Sequence, residues 1–298
     1  MTLRAELIRF CLPWFMRPRP GSDVEIADAR RQVARFARLV PAPPRGTELL
    51  AVDAGGVKAE RIATPRSLPG RYVLHLHGGA YLMGFPALFR DFTWRIADVT
   101  GARVLCIDYR LAPEHPFPAA VEDVTTAYRW LISECAEPRQ VALIGDSSGG
   151  GLALASMMRL RDEGLPLPAA AVVLSPWTDL ALTGPSLAQY GLSDPMVPVE
   201  LMPRAVEAYL AGADPRQPYA SPLYGDAAGL PPTLILVGSD EALRDDAVRM
   251  AERLRAAACD VELEAWPRMF HVWPMFARIL PEARAAIARI GAFLHGRL

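Results

Sequence analysis

Residues 141–152 read VALIGDSSGGGL, and this stretch decides the fold. Its first four residues are apolar, as in a strand that is covered on both faces of a sheet. A G-x-S-x-G motif at 145–149 follows, and the small and apolar residues after it favour a helix. A serine nucleophile is typically held at the tip of such a strand–turn–helix junction. We therefore predict Ser147 as a nucleophile. Ser148 competes for this role but lies one residue beyond the tip, where its backbone amide is better placed as an oxyanion donor.

On both sides of this junction, short apolar runs alternate with helical patterns. This alternation predicts an α/β fold with a doubly wound, mostly parallel sheet, and Leu49–Thr64 supplies an antiparallel edge. The predicted strands are Tyr72–His75, Arg103–Ile107, Val141–Ile144, Ala171–Leu174, Thr233–Val237 and Val261–Ala265. The predicted helices are Ala87–Val99, Ala119–Ser133, Gly149–Asp162, Ala242–Ala257 and Pro281–His295.

A second motif, His-Gly-Gly-Ala-Tyr at 77–81, directly follows the predicted strand YVLHL. Loops of this kind supply backbone amides to an oxyanion hole. We predict Gly79, Ala80 and Ser148 as the donors, with Gly78 as a further candidate. Alanine in place of a third glycine predicts a negative φ at Ala80.

A serine nucleophile on this turn needs an acid and then a histidine later in the chain. Only His271 and His295 follow Ser147, and His271 lies in the loop after the strand VELEAW, where a catalytic base is expected. Asp240 is the first carboxylate after the strand TLILVG, so we predict it as the acid. Three neighbouring carboxylates are interpreted as solvated charges at the start of a helix: Glu241, Asp245 and Asp246.

Two segments, 1–46 and 184–215, fall outside the β/α alternation and have helical patterns. The second leaves the carboxyl end of a strand, the edge at which open α/β sheets bind ligands. We predict that the two segments form one helical cap over a catalytic domain of residues 47–183 and 216–298. The apolar residues predicted to line the acyl site are Met83, Phe85, Leu201 and Met202.

Four motifs in order carry a resemblance to a known family: HGGAY at 77–81, DYRLAPEHPFP at 108–118, GDSSGG at 145–150 and GSD at 238–240. Together they resemble the hormone-sensitive-lipase family of bacterial esterases, in its branch with Asp before the nucleophile. The resemblance implies an α/β-hydrolase fold with an eight-stranded sheet and a helical cap. It also implies a carboxylesterase that prefers short acyl chains, of about C2 to C8.

The composition restricts the partners. The 298 residues carry 32 Lys plus Arg and 33 Asp plus Glu, a net charge of −1, which gives no reason to expect nucleic acid. The four cysteines have no CxxC spacing, so we expect reduced thiols in a cytoplasmic protein, and no metal or organic cofactor. The apolar run at 8–16 is too short to span a bilayer. We expect it to pack on the protein's own surface without stable membrane insertion, and weak membrane association is the alternative. A monomer and a homodimer are both compatible with the sequence.

Several functions would use the same residues. A lactonase, an amidase or a deacetylase of natural-product esters needs the same serine, histidine and acid, whereas a true lipase is less favoured. A ligand receptor of the gibberellin-receptor type resembles this family but lacks the catalytic histidine. Because His271 is present, the sequence favours an enzyme that acts on a small-molecule ester.

Overall fold

A single sheet of eight strands forms the centre of the computed structural model, which describes residues 2–17, 25–134 and 136–298. The strands lie in the order β1-β2-β4-β3-β5-β6-β7-β8, and all pairs from β4 to β8 are parallel. The strands are β1 (Glu48–Asp53), β2 (Lys58–Ala63), β3 (Tyr72–Leu76), β4 (Arg103–Ile107), β5 (Val141–Asp146), β6 (Ala170–Leu174), β7 (Thr233–Gly238) and β8 (Val261–Trp266). The antiparallel hairpin β1–β2 lies at the predicted edge. The predicted strands and the eight-stranded α/β architecture are confirmed.

Helices cover both faces of the sheet. They are α1 (Leu3–Cys11), α2 (Pro13–Met16), α3 (Ile26–Ala37), α4 (Arg90–Thr100), α5 (Ala119–Glu134), α6 (Ser148–Asp162), α7 (Pro185–Tyr190), α8 (Met202–Leu210), α9 (Arg244–Ala256) and α10 (Pro281–Leu294). One apolar core lies between the sheet and α5, α6 and α9, and a second lies between the sheet and α4 and α10. The central strands β3, β5, β6 and β7 are buried along their whole length, which explains why their sequences are apolar without alternation.

The two segments predicted to form a cap are helical where the structure describes them. The first contains α1, α2 and α3, and its residues 1 and 18–24 lie outside the described residues. The second contains α7 and α8. Arg30 of α3 fixes the first segment to the loops beside the sheet, because its guanidinium donates to the carbonyls of Leu82 and Ala112, each at 2.7 Å, and pairs with Glu114. Their role as one cap over the site stays a prediction. Within the described residues, no helix has the length and apolar character needed to cross a bilayer.

Candidate active site

Ser147 occupies a sharp turn between β5 and α6. Its φ of 54° lies in a region that residues other than glycine rarely adopt. The glycines around it are required by close backbone contacts. A Cβ on Gly145 would lie 2.1 Å from the carbonyl oxygen of Gly149, and one on Gly149 would lie 2.0 Å from that of Leu76. The turn therefore presents Ser147 at the carboxyl edge of the sheet, in the geometry that a nucleophile needs.

The side chain of His271 reaches Ser147 from the loop after β8. Its Nε2 lies 2.9 Å from Ser147 Oγ, and its Nδ1 lies 3.2 Å from Glu241 Oε1. His271 and Glu241 are both buried. The structure thus contains a hydrogen-bonded chain from a carboxylate through an imidazole to a serine hydroxyl, which is the arrangement that activates a serine for attack.

The acid in this chain is not the one predicted from the sequence. The carboxylate of Asp240 lies apart from His271: it pairs with Arg9 at 3.1 Å and accepts a hydrogen bond from Ser239 Oγ at 2.6 Å. Its side chain is 29% exposed, whereas that of Glu241 is fully buried. The partners of the two side chains show their directions: Asp240 is directed toward Arg9 at the surface, and Glu241 is directed toward His271.

One local signal favoured Glu241. The residues that follow it, Ala242 and Leu243, are apolar and buried, and α9 begins only at Arg244. Glu241 is therefore not a solvated residue of the first helical turn, as its sequence position had indicated.

Two donors hold the second oxygen of Glu241. Oε2 accepts hydrogen bonds from Ser175 Oγ and from the backbone amide of Gly238, each at 2.8 Å. The hydroxyl of Ser175 in turn accepts a hydrogen bond from the amide of Val272, at 3.0 Å. Ser175 therefore ties the loop that carries the histidine to the acid, and sequence reasoning did not identify it.

Burial and the charge of Glu241 shift the pKa of His271 in opposite directions. Burial by itself would lower the pKa of the His271 imidazole, but its hydrogen bond to Glu241 and the charge of that carboxylate outweigh burial and raise the pKa above its ordinary value. Burial raises the pKa of Glu241, and the hydrogen bond to His271 partly opposes this rise. The pair is thus arranged to stabilise a proton on the imidazole.

The loop after β3 lies beside Ser147 and carries candidate oxyanion donors. Within the part of the chain that the structure describes, the backbone amides of Gly79, Ala80 and Ser148 have no hydrogen-bond acceptor. The amide of Gly78 is different, because it donates to Asp146 Oδ2 at 3.0 Å and is already in use. The structure therefore leaves three of the four predicted donors available.

The conformation of this loop differs from the sequence prediction. Ala80 has a φ of 55°, so the predicted negative value is wrong. The next residue, Tyr81, also has a positive φ, of 63°, and its amide points to Ser148 Oγ at 3.4 Å. The amides of Leu82 and Met83 donate to the carbonyl of Gly79. These bonds stabilise a tight turn. The positive φ of each non-glycine residue in it, Ala80 and Tyr81, costs about 1–2 kcal/mol of conformational free energy.

A buried set of polar side chains lies behind the loop. His77 Nδ1 lies 2.8 Å from the carbonyl oxygen of Gly78, and its ring stacks between Phe89 and Tyr109. Burial lowers the pKa of His77 to about 4, so this histidine is neutral and braces the loop. Within β3 itself, His75 Nε2 lies 3.3 Å from the carboxylate of Asp146, the last residue of the neighbouring strand β5.

Comparison with known proteins identifies the class to which this geometry belongs. Residues 73–275 match the model of a family described by its alpha/beta hydrolase fold. The chain belongs to this family. An acetyl-hydrolase from Streptomyces hygroscopicus is 48% identical over 99% of this chain and 95% of its own length.

Solved structures give the same result for this alpha/beta hydrolase. An esterase of the bacterial hormone-sensitive lipase family superposes with a TM-score of 0.94 at 41% identity, over 100% of this chain and 99% of that one. The esterase EstE5, in a crystal soaked with p-nitrophenyl butyrate, superposes with a TM-score of 0.94 at 38% identity and the same coverage. The hydrolase is therefore an enzyme of the esterase class.

The segment 184–215 of the hydrolase contacts the turn that carries Glu241 through Asp194. One carboxylate oxygen of this buried residue accepts hydrogen bonds from the amides of Met196 and Val197, and the other accepts one from the amide of Ala242 at 2.8 Å. Ala242 directly follows Glu241, so this hydrogen bond connects the helical insertion to the turn that carries Glu241. Sequence reasoning did not identify Asp194 either.

Of the four residues predicted to line the acyl site, two belong to the apolar core that also contains a pair of stacked aromatic rings. Met83 and Met202 join the core that contains the rings of Tyr81 and Tyr209, which are stacked with centroids 3.8 Å apart. Phe85 and Leu201 are half-buried. Contact of these four side chains with substrate stays a prediction.

Proposed function

We propose that the protein is a serine carboxylesterase that hydrolyses short-chain acyl esters through an acyl-enzyme intermediate, with a triad of Ser147, His271 and Glu241. The observation that carries the proposal is the continuous hydrogen-bonded chain from Glu241 through His271 to the Ser147 hydroxyl. This arrangement provides a nucleophile, a base and a group that orients the base.

The proposed reaction begins when Ser147 Oγ attacks the ester carbonyl carbon and His271 Nε2 accepts its proton. The amides of Gly79, Ala80 and Ser148 donate hydrogen bonds to the oxyanion, and each such donor is worth about 10²–10³ in rate. Collapse of the intermediate breaks the carbon–oxygen bond, and the leaving alcohol takes the proton from His271. Water then attacks the acyl-serine with the same base and releases the acid.

The preference for short acyl chains is supported by the packing around the nucleophile. Trp177, whose amide donates to the carbonyl of Ser147, is buried, and so are the stacked rings of Tyr81 and Tyr209. We take these rigid rings, which lie on segments that adjoin Ser147 and the loop after β3, to limit the space for a long acyl chain. The name of the acetyl-hydrolase relative adds support for small acyl groups, and it favours acetyl esters of larger alcohols as a second class of substrate.

If the helical insertion limits acyl length, Met202→Ala and Leu201→Ala should shift the preference toward longer acyl chains. We expect the ratio of kcat/KM for a long p-nitrophenyl ester over the acetate to rise by about tenfold, since each methylene in an apolar pocket is worth about 1–3 kcal/mol. Met250→Ala, at a buried methionine of α9, is the matched control for general destabilisation. An unchanged ratio in both cap variants, or an equal rise in the control, would contradict the cap as the acyl site.

The raised pKa of His271 predicts the pH dependence. The base must be neutral, so activity falls as the pH drops through the pKa of His271 in the free enzyme. We expect the acid limb of kcat/KM to have its midpoint above about 6.5, the ordinary histidine value. Glu241→Gln should move the midpoint lower because it removes the charge that favours the imidazolium. A midpoint near the His77 value of about 4 would show that His271 does not control the rate.

A further inference from the structure

An apolar stripe faces solvent along the N-terminal helices. Leu3, Leu7, Phe10 and Trp14 are 88%, 64%, 72% and 81% exposed. Their spacing of four, three and four residues puts them on one face of a helix. The helical course continues from α1 into α2, because Leu12 at the junction has αR dihedrals and its amide donates to the carbonyl of Ile8. We call these four residues the outer stripe.

The same helices already have a separate apolar face for packing on the protein. Ala5 and Leu12 are buried and Ile8 is half-buried, and all three pack on the core beside α4 and α10. These residues lie on the side of the helix opposite the outer stripe. A helix that only packed on its own domain would carry polar residues on its outer side. The outer stripe therefore needs an explanation beyond folding.

One more exposed leucine lies in a loop that contacts the end of these helices. Arg17 donates to the backbone carbonyls of Gly191 and Asp194, which places the end of α2 beside the loop after α7. Leu192 in that loop is 87% exposed. An exposed leucine therefore lies in the loop that contacts the end of α2, in the segment whose Asp194 accepts a hydrogen bond from Ala242.

The charge of this region indicates what covers the stripe. Residues 1–46 contain nine arginines, no lysine and four acidic residues, a net charge of +5, whereas the whole chain carries −1. Three ion pairs link the segment to the rest of the chain: Glu6 pairs with Arg268, Arg9 with Asp240 and Arg30 with Glu114, and the segment together with these three partners keeps a net charge of +4. Two copies of so basic a segment would repel each other, so the charge favours an anionic partner over a second copy of this chain.

We propose that the outer stripe docks this enzyme on the surface of an anionic phospholipid bilayer. A helix with Leu, Phe and Trp on one face and arginines beside it has the composition of helices that lie in the plane of a membrane interface. The Arg9–Asp240 pair joins α1 to the turn that carries Glu241. Docking therefore brings the catalytic edge of the sheet close to the lipid surface, where hydrophobic esters concentrate.

Sedimentation with vesicles tests this proposal on the full chain. We expect the wild-type protein to bind vesicles of equal phosphatidylglycerol and phosphatidylcholine, and to bind phosphatidylcholine vesicles much less. Added salt should weaken the binding because surface charge attraction is screened. The neutral double variant Leu7→Gln/Trp14→Gln should lower the partition coefficient by about tenfold or more, since it removes two of the inserting side chains.

The matched control is Leu50→Gln/Leu68→Gln, which removes two leucines that are each 48% exposed and lie outside residues 1–46. This control should bind vesicles like the wild type. Both double variants should keep wild-type activity on soluble p-nitrophenyl acetate, which separates docking from catalysis. Tryptophan fluorescence gives a measurement that does not depend on folding. When the wild type binds anionic vesicles, its tryptophan emission should shift to shorter wavelength because Trp14 enters the lipid. This shift should be absent in Trp14→Phe.

Three results would overturn the proposal. The first is a wild-type protein that does not bind anionic vesicles at low ionic strength. The second is equal loss of binding in the two double variants. The third is a dimer, measured by light scattering, that Leu7→Gln/Trp14→Gln dissociates, because a second copy would then be the occupant of the stripe.

Discussion

Ser147→Ala is expected to lower kcat for p-nitrophenyl acetate by about 10⁴-fold or more, since the remaining residues of a triad cannot act without the nucleophile. The fold should be retained, because alanine fits the space of serine and the close glycine contacts of the turn are unchanged. A fluorophosphonate probe should label the wild type once, by intact mass, and leave Ser147→Ala unlabelled.

Ser148→Ala is the matched control for this experiment. It keeps the backbone amide proposed as an oxyanion donor and removes only a hydroxyl that accepts a 3.4 Å hydrogen bond from the amide of Tyr81. Its kcat should stay within about tenfold of the wild type, because the change acts only through the position of the loop. If Ser147→Ala kept more than about a tenth of wild-type activity, or if the probe labelled Ser148, the nucleophile would be misassigned.

The parts of the molecule that follow from local sequence pattern could be predicted. Buried parallel strands are apolar throughout, and a G-x-S-x-G turn needs glycines at Gly145 and Gly149 whatever surrounds it. The order of nucleophile and base along the chain reduced five histidines to His271 and His295, and the position of His271 in the loop after a predicted strand selected it. These features depend on residues close to one another or on chain order alone.

Local sequence pattern and chain order could not decide which of two adjacent carboxylates, Asp240 or Glu241, contacts His271. Asp240 and Glu241 differ by one position, and the direction of each side chain depends on how the turn after β7 packs against Ser175 and the loop of His271. The positive φ of Ala80 has a related origin, since the amide of the next residue, Tyr81, is directed to the hydroxyl of Ser148, 67 positions along the chain. Contacts between segments that are distant in the sequence decide these details.

Substitutions of the neighbouring residues Glu241 and Asp240 are expected to have very different effects on kcat. Glu241→Gln should lower kcat by about 10³–10⁴-fold, because the amide no longer stabilises the imidazolium and does not fix the tautomer of His271. The glutamine keeps the volume of the side chain and removes a buried charge, so the free energy of unfolding should not fall greatly. Asp240→Asn should leave kcat within about threefold, since it weakens only a partly exposed ion pair with Arg9.

Glu241→Asp makes the comparison sharper. The aspartate keeps the charge but shortens the reach to His271 Nδ1, which lies 3.2 Å from the native carboxylate. It should recover part of the activity that glutamine loses, and it should restore part of the raised apparent pKa in the acid limb of kcat/KM. If the Glu241 carboxylate had only a structural role, its substitution would lower the thermal unfolding temperature and kcat together. The midpoint of the acid limb of kcat/KM would then stay unchanged. If instead Asp240→Asn abolished activity while Glu241→Gln remained near the wild type, Asp240 would have to reach His271 in the working enzyme, and the triad drawn from this structure would be wrong.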